Sequence, residues 1–142
     1  MTIDDPISER IIGCAFKVRA ALGHGFLEKV YENALAHELR KAGLGVQQQS
    51  GIEVFYDGVN VGTYFADLLV EGRILVELKS MKALDEIHMA QCLNYLKATG
   101  LRTCLLLNFG KTKVEVRRLS MSRGNEPGMA LEEMTVETRT NQ

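Results

Sequence analysis

The stretch that decides the fold runs from Tyr64 to Lys79, YFADLLVEGRILVELK. Two apolar runs, Tyr64–Val70 and Arg73–Lys79, flank the turn pair Glu71-Gly72 and read as strands folded back on each other. Charges inside such runs call for an explanation. Asp67 interrupts the first run, and Glu77 and Lys79 interrupt the second. Side chains alternate along a strand, so Glu77 and Lys79 share one face, with Leu75 beside them. Antiparallel pairing across the short turn brings Asp67 close to opposite Glu77. Two carboxylates held together repel, and a bound divalent cation relieves the repulsion. A neighbouring lysine can orient an attacking water or neutralise charge on a phosphate. The bland reading is that the strand ends here and Glu77 and Lys79 reach solvent as a weak ion pair.

Working outward, Asp85 to Ala98 has helical spacing and ends at Thr99-Gly100. Leu101 to Phe109, LRTCLLLNF, is a continuous apolar run that suits a strand buried on both faces. Strand, helix and strand in this order predict a β-α-β crossover, with RILVELK and TCLLLNF parallel and central. Before the deciding stretch, Ile52–Tyr56 and Val59–Val61 flank Asp57-Gly58, a tight-hairpin signal. Two helices come first. In Pro6–Leu22, Ile7, Ile11, Cys14, Ala15, Val18 and Leu22 recur at three- and four-residue steps. A second helix spans Leu27 to Lys41, and Gly43 stops it. Lys113–Leu119 alternates as an edge strand does, and beyond Ser120 the period is lost. The order ααββββαββ predicts an α/β fold, a three-layer-like mixed β-sheet flanked by helices. Residues 1–119 are expected to form a single domain, and 120–142 a loosely structured C-terminal tail.

The whole chain has 142 residues, 46% of them hydrophobic and 25% charged, which suits one globular domain with a core. No apolar run approaches the ~20 residues that cross a bilayer. MTIDDPISER is acidic and polar, the opposite of a signal peptide, and predicts a cytoplasmic protein. Cys14, Cys92 and Cys104 form no C-x-x-C pair and read as small buried hydrophobes. His24, His37 and His88 share no metal-ligand spacing, although His24 lies near Glu28. The net charge of −1 hides an asymmetry: residues 73–118 hold nine Lys/Arg against four Asp/Glu. A locally basic half suits an anionic partner such as a nucleic-acid backbone, although ordinary solvated charge is the favoured reading of the asymmetry by itself. Lys82, Lys97, Arg102 and Lys111 are the candidate phosphate contacts, each with a solvated surface role as its alternative.

Asp67 followed by Glu77-Leu78-Lys79 resembles the core signature of the PD-(D/E)XK nuclease superfamily, with Ala66 where a proline would precede the aspartate. Within it, Gly25-Phe-Leu-Glu28-Lys-Val-Tyr31 is similar to the motif that names the small GxxExxY family. Tyr64-Phe-Ala-Asp67, Gln91-Cys-Leu-Asn-Tyr95 and Leu107-Asn108-Phe109-Gly110 agree in the same order, so the resemblance covers Ile7 to Leu119. It implies a restriction-endonuclease-like core and a nuclease that hydrolyses DNA phosphodiesters with Mg²⁺ or Mn²⁺. It further implies that Asp67 and Glu77 are metal ligands, with the Leu78 carbonyl and Glu28 completing the set, and that Lys79 is the catalytic lysine. Gln91 and Tyr95 resemble the Gln-x-x-x-Tyr motif of RecB-like exonucleases, which with Lys82 makes them substrate-binding residues.

Each has a structural alternative. Glu28 in a first helical turn meets the helix dipole, and Tyr31 is a hydrogen-bonding core aromatic. Gln91 is an exposed helix residue, Tyr95 is packing with a polar tip, Asn108 ends a strand and Gly110 makes a turn. The function alternative is a non-catalytic nucleic-acid- or protein-binding module that keeps the fold. A phosphate-directed hydrolase acting on another substrate is a third reading. A small chain that cleaves duplex DNA would often act as a homodimer.

Overall fold

The computed structural model describes residues 4–123 and 132–140. The two leading helical repeats form α1 (Asp4–Leu22) and α2 (Glu28–Lys41). Three strands follow, β1 (Val46–Tyr56), β2 (Val59–Val70) and β3 (Ile74–Lys79), then α3 (Glu86–Thr99). The chain continues through β4 (Thr103–Asn108), β5 (Glu115–Arg123) and β6 (Glu132–Thr140). All six strands lie in one sheet in sequence order. Every neighbouring pair is antiparallel except β3 and β4, which are parallel and joined through α3.

Local chemistry sets the boundaries. Asp57 and Gly58 take φ of 53° and 76° between β1 and β2, as a two-residue hairpin of matching twist needs. The Asp85 side chain accepts from the Ile87 N–H at 2.8 Å, and His88 Nδ1 accepts from the Asp85 N–H at 3.1 Å, so α3 starts capped. Gly100 closes that helix in the left-handed region.

Strand alternation then sorts the apolar residues into two cores. Ile74, Val76 and Leu78 of β3, with Leu105 and Leu107 of β4, pack under α1 and α2. Leu75, Cys104 and Leu106 face the other way, against Cys92, Tyr95 and Leu96 of α3. The helices therefore cover both faces of the central strands. That is why LRTCLLLNF has no polar alternation: all of β4 is buried. Cys92 and Cys104 are buried, Cys14 is half-buried, and all three are free thiols.

Three expectations are corrected. The four strands foreseen before α3 are three, because Val59–Val61 and Tyr64–Val70 are one strand running through Gly62 and Thr63. Glycine weakens a strand signal, but Gly62 pairs with Val54 where the β1–β2 register shifts, a place that absorbs it. The segment at Lys113–Leu119 is not an edge: β5 has β4 on one side and β6 on the other. The tail foreseen from 120 instead continues β5 to Arg123 and returns as β6. In sequence, Glu132–Thr140 carries only Met134 and Val136 as apolar residues, so its order comes from ladder pairing with β5. Residues 124–131, most of SRGNEPG, lie outside the described residues.

Candidate active site

β2 and β3 run antiparallel with Leu68 opposite Val76, and that register places Asp67 against Glu77. The two acids hold each other's strand. Glu77 Oε1 accepts from the Asp67 N–H at 2.9 Å, and Asp67 Oδ2 accepts from the Leu78 N–H at 2.8 Å. Each carboxylate thus spends one oxygen on the other's strand. Glu77 is 4% exposed. Burial, then the charge of Asp67, pushes its carboxyl up to about 8, against the pull of the Asp67 N–H and of Lys79. Asp67 is also raised, by burial first, and the hydrogen bonds from Leu78 and Gln49 oppose it. Lys79, half-buried at the end of β3, lowers both carboxyls through space. Its ammonium is committed to no hydrogen bond or salt bridge among the described residues.

Two residues that the sequence reading did not single out join this pair. Gln49 sits in the left-handed region at φ 52°, a conformation that is strained for a side chain of its size. There its amide donates to Glu32 Oε1 at 2.9 Å and to Asp67 Oδ1 at 3.3 Å. Glu32, buried in α2, also accepts from Lys29 at 2.9 Å and Gln48 at 2.7 Å. Its charge repels Asp67, while that of Glu28 repels Glu77. The available signal was faint: Glu32 lies one helical turn after Glu28, and Gln47-Gln48-Gln49 is a polar run entering a strand.

The loops around the acids are tied together by residues of the resembling motifs. Tyr31 is fully buried and stacks on Phe109, ring centroids 4.6 Å apart at 15°. Its hydroxyl donates to the Gly23 carbonyl at 2.7 Å and accepts from the Phe26 N–H at 3.3 Å. It is the core aromatic that fixes the loop before Glu28. Asn108 plays the same part on the other side. Its Oδ1 accepts from the Met81 and Gly110 N–H groups, and its Nδ2 donates to the Met81 carbonyl, all at 3.0–3.1 Å. Ser80 donates to the Phe26 carbonyl at 3.3 Å and joins the two loops. Between them lies a cavity of about 380 Å³, whose lining includes His24, Gly25, Glu28, Lys82 and Gly110. Glu28 and Lys82 are both exposed there.

Gly110 carries a sharp prediction. A Cβ at this position would land on the Met81 backbone, which cannot swing aside as a flexible side chain can. Gly110→Ala is expected to lower stability by about 2 kcal/mol or more. It should also displace the loop that follows Lys79. Thermal unfolding reads the first effect, and protease sensitivity near Met81 reads the second.

Gln91 and Tyr95 meet on one face of α3, where the Gln91 amide donates to the Tyr95 hydroxyl at 2.9 Å. The Tyr95 hydroxyl is pushed up to about 12 by burial and then by the charge of Glu77. Lys97 and Arg102 are exposed, and Lys111 reaches the buried Glu115 at 3.8 Å.

Among the described residues, no cluster of three or more His, Cys, Asp or Glu is gathered tightly enough to hold a metal ion. The donor chemistry nonetheless fits a hard divalent cation. Two carboxyls raised chiefly by burial, Glu77 further by the charge of Asp67, stand side by side, and Glu28 stands within electrostatic reach of Glu77. No helix of the described residues is long and apolar enough to cross a membrane.

A family model described as the PD-(D/E)XK nuclease superfamily matches residues 5–119. The chain belongs to this superfamily, whose members generally use divalent metals and act on nucleic acids. No curated protein matches it, and neither does any solved structure.

Proposed function

We propose that this member of the PD-(D/E)XK nuclease superfamily belongs to the GxxExxY group within it and hydrolyses DNA phosphodiester bonds with Mg²⁺ or Mn²⁺. The observation that carries the reading is the acid pair: Asp67 and Glu77, each braced on the other's strand, with Lys79 two residues on. Gathering a buried glutamate, a half-buried aspartate and a half-buried lysine at one sheet end is costly for a chain that makes no use of them.

Asp67 and Glu77 would hold the ion, with Glu28 and the Leu78 carbonyl as the remaining protein donors. When bound, such an ion polarises the phosphate and lowers the pKa of an attending water. The chain's own residues do the rest. Lys79 holds the attacking water or neutralises charge growing on the phosphate oxygens. Gln49 steadies the Asp67 carboxylate at Oδ1, and Glu32 anchors Gln49 in turn. Lys82, on the loop after Lys79, meets the phosphate backbone, and Gln91 with Tyr95 contacts the substrate beside the acids.

The test compares wild type with Lys79→Ala on single- and double-stranded DNA and on RNA, in Mn²⁺ or Mg²⁺ and in chelator. Metal-dependent cleavage of DNA that falls at least about a hundredfold in Lys79→Ala is the expected result. Equal cleavage by both proteins would assign the activity to a contaminant. Binding of DNA without cleavage by wild type would favour the non-catalytic module.

A further inference from the structure

The outer half of the β1–β2 hairpin is unusually apolar for a surface. Phe55, Tyr56, Val59, Val61, Tyr64 and Phe65 are between 52% and 75% exposed. Patches of this kind mark interaction surfaces. Between the hairpin and α3 lies a groove of about 830 Å³, walled by Phe55 and Tyr64 on one side and by Gln91, Asn94 and Tyr95 on the other, with Lys97 on its lining. The Tyr64 and Tyr95 rings lie 5.7 Å apart and are tilted by 47°. Tyr64 stands three residues before Asp67 on the same strand, about 10 Å along it. Tyr95 on the groove wall stands within electrostatic reach of Glu77 and Asp67, so the groove lies beside the acid pair.

We infer that this groove stacks an unpaired base of the nucleic-acid strand beside the scissile phosphate, which makes single strands, flaps or frayed ends the preferred substrate. The inference rests on the nuclease reading and names the substrate class it serves. Exposed aromatic faces bind bases whatever their sequence, and a duplex hides those faces in its own stack. The carboxamides of Gln91 and Asn94 offer donors and acceptors to a base edge, and Lys97 offers a cation to the backbone. A purely apolar protein surface laid in the groove would strand those carboxamides without partners. Thus the mixed lining favours a base over a second copy of the chain.

The experiment measures anisotropy of labelled oligo-dT and of a blunt duplex of equal length, in Mg²⁺. All proteins carry Lys79→Ala so that the strand survives. Phe55→Ala and Tyr64→Leu are added singly, and both sites are exposed enough that thermal melting should show intact folding. Oligo-dT is expected to bind about tenfold tighter than duplex, and each substitution to weaken oligo-dT by about tenfold while sparing duplex. Unchanged oligo-dT binding overturns the inference, as does an equal loss for both ligands. Dissociation of a dimer by the substitutions, with DNA binding intact, would give the groove to a second copy and also overturn it. Wild type is assayed separately for cleavage. Selective loss of oligo-dT binding in the groove variants, together with a wild type that never cleaves, would remove the nuclease reading and leave the base site standing.

Discussion

Glu77→Gln is expected to abolish metal-dependent cleavage while making the metal-free protein more stable at alkaline pH. Loss of a charged donor should lower cleavage by at least about a hundredfold. Stability moves the other way because the Glu77 carboxyl is raised to about 8 in the folded chain, from an ordinary 4.5. Its contribution is fully present below about pH 4.5, where both states hold the proton. It is lost as pH rises toward 8, because the unfolded chain releases that proton first. The fall amounts to a few kcal/mol over this window, and the raised Asp67 adds to it in the same direction. A glutamine keeps the oxygen that accepts from the Asp67 N–H and removes the charge, so the variant's stability should fall less steeply with pH than wild type's, with only the Asp67 share remaining. Melting curves in chelator across this range, repeated with Mn²⁺, decide the matter. Wild type should gain more from Mn²⁺ at pH 8 than at pH 6, and Glu77→Gln should gain almost nothing. A variant that still cleaves well, or whose melting falls with pH as steeply as wild type, would defeat this account of Glu77.

Gln49→Gly should separate function from folding. The substitution relieves a left-handed backbone that glycine adopts freely, worth roughly 1 kcal/mol, and it forfeits two hydrogen bonds at an exposed site. These effects nearly cancel, so melting should shift by less than about 1 kcal/mol. Glu32 keeps Lys29 and Gln48 on Oε2 and gives up only the Gln49 bond to Oε1. Asp67, however, loses the amide that steadies its Oδ1. Mn²⁺ affinity measured by calorimetry is expected to fall about 10- to 100-fold, and cleavage with it. Unchanged affinity would reduce Gln49 to a strand irregularity without a role. A large loss of stability would show that the bridge serves folding instead.

Some of this molecule is written locally. The alternation in YFADLLVEGRILVELK, the two glycine turns and the unbroken LRTCLLLNF determined, without any coordinates, an antiparallel pair, a parallel crossover and an acid opposite an acid. Each depends on neighbours within a few residues, or on a turn too short to allow another register. The motif residues were legible as positions, but their division of labour was not. Tyr31 and Asn108 turned out to tie loops, because their partners lie in Gly23, Phe26, Met81 and Phe109, and only the fold brings those together.

What tertiary structure alone decided has a common cause. β2 runs unbroken through Gly62, β1 includes the polar Gln47-Gln48-Gln49, and β6 forms from a segment with two apolar residues. Their order comes from ladder hydrogen bonds to strands distant in sequence, which no local propensity records. The Glu32–Gln49–Asp67 chain spans three elements and depends on one residue held in a strained conformation. Periodicity announces what a segment buries. It is silent on where a solvated polar side chain reaches, because that depends on what the fold sets beside it.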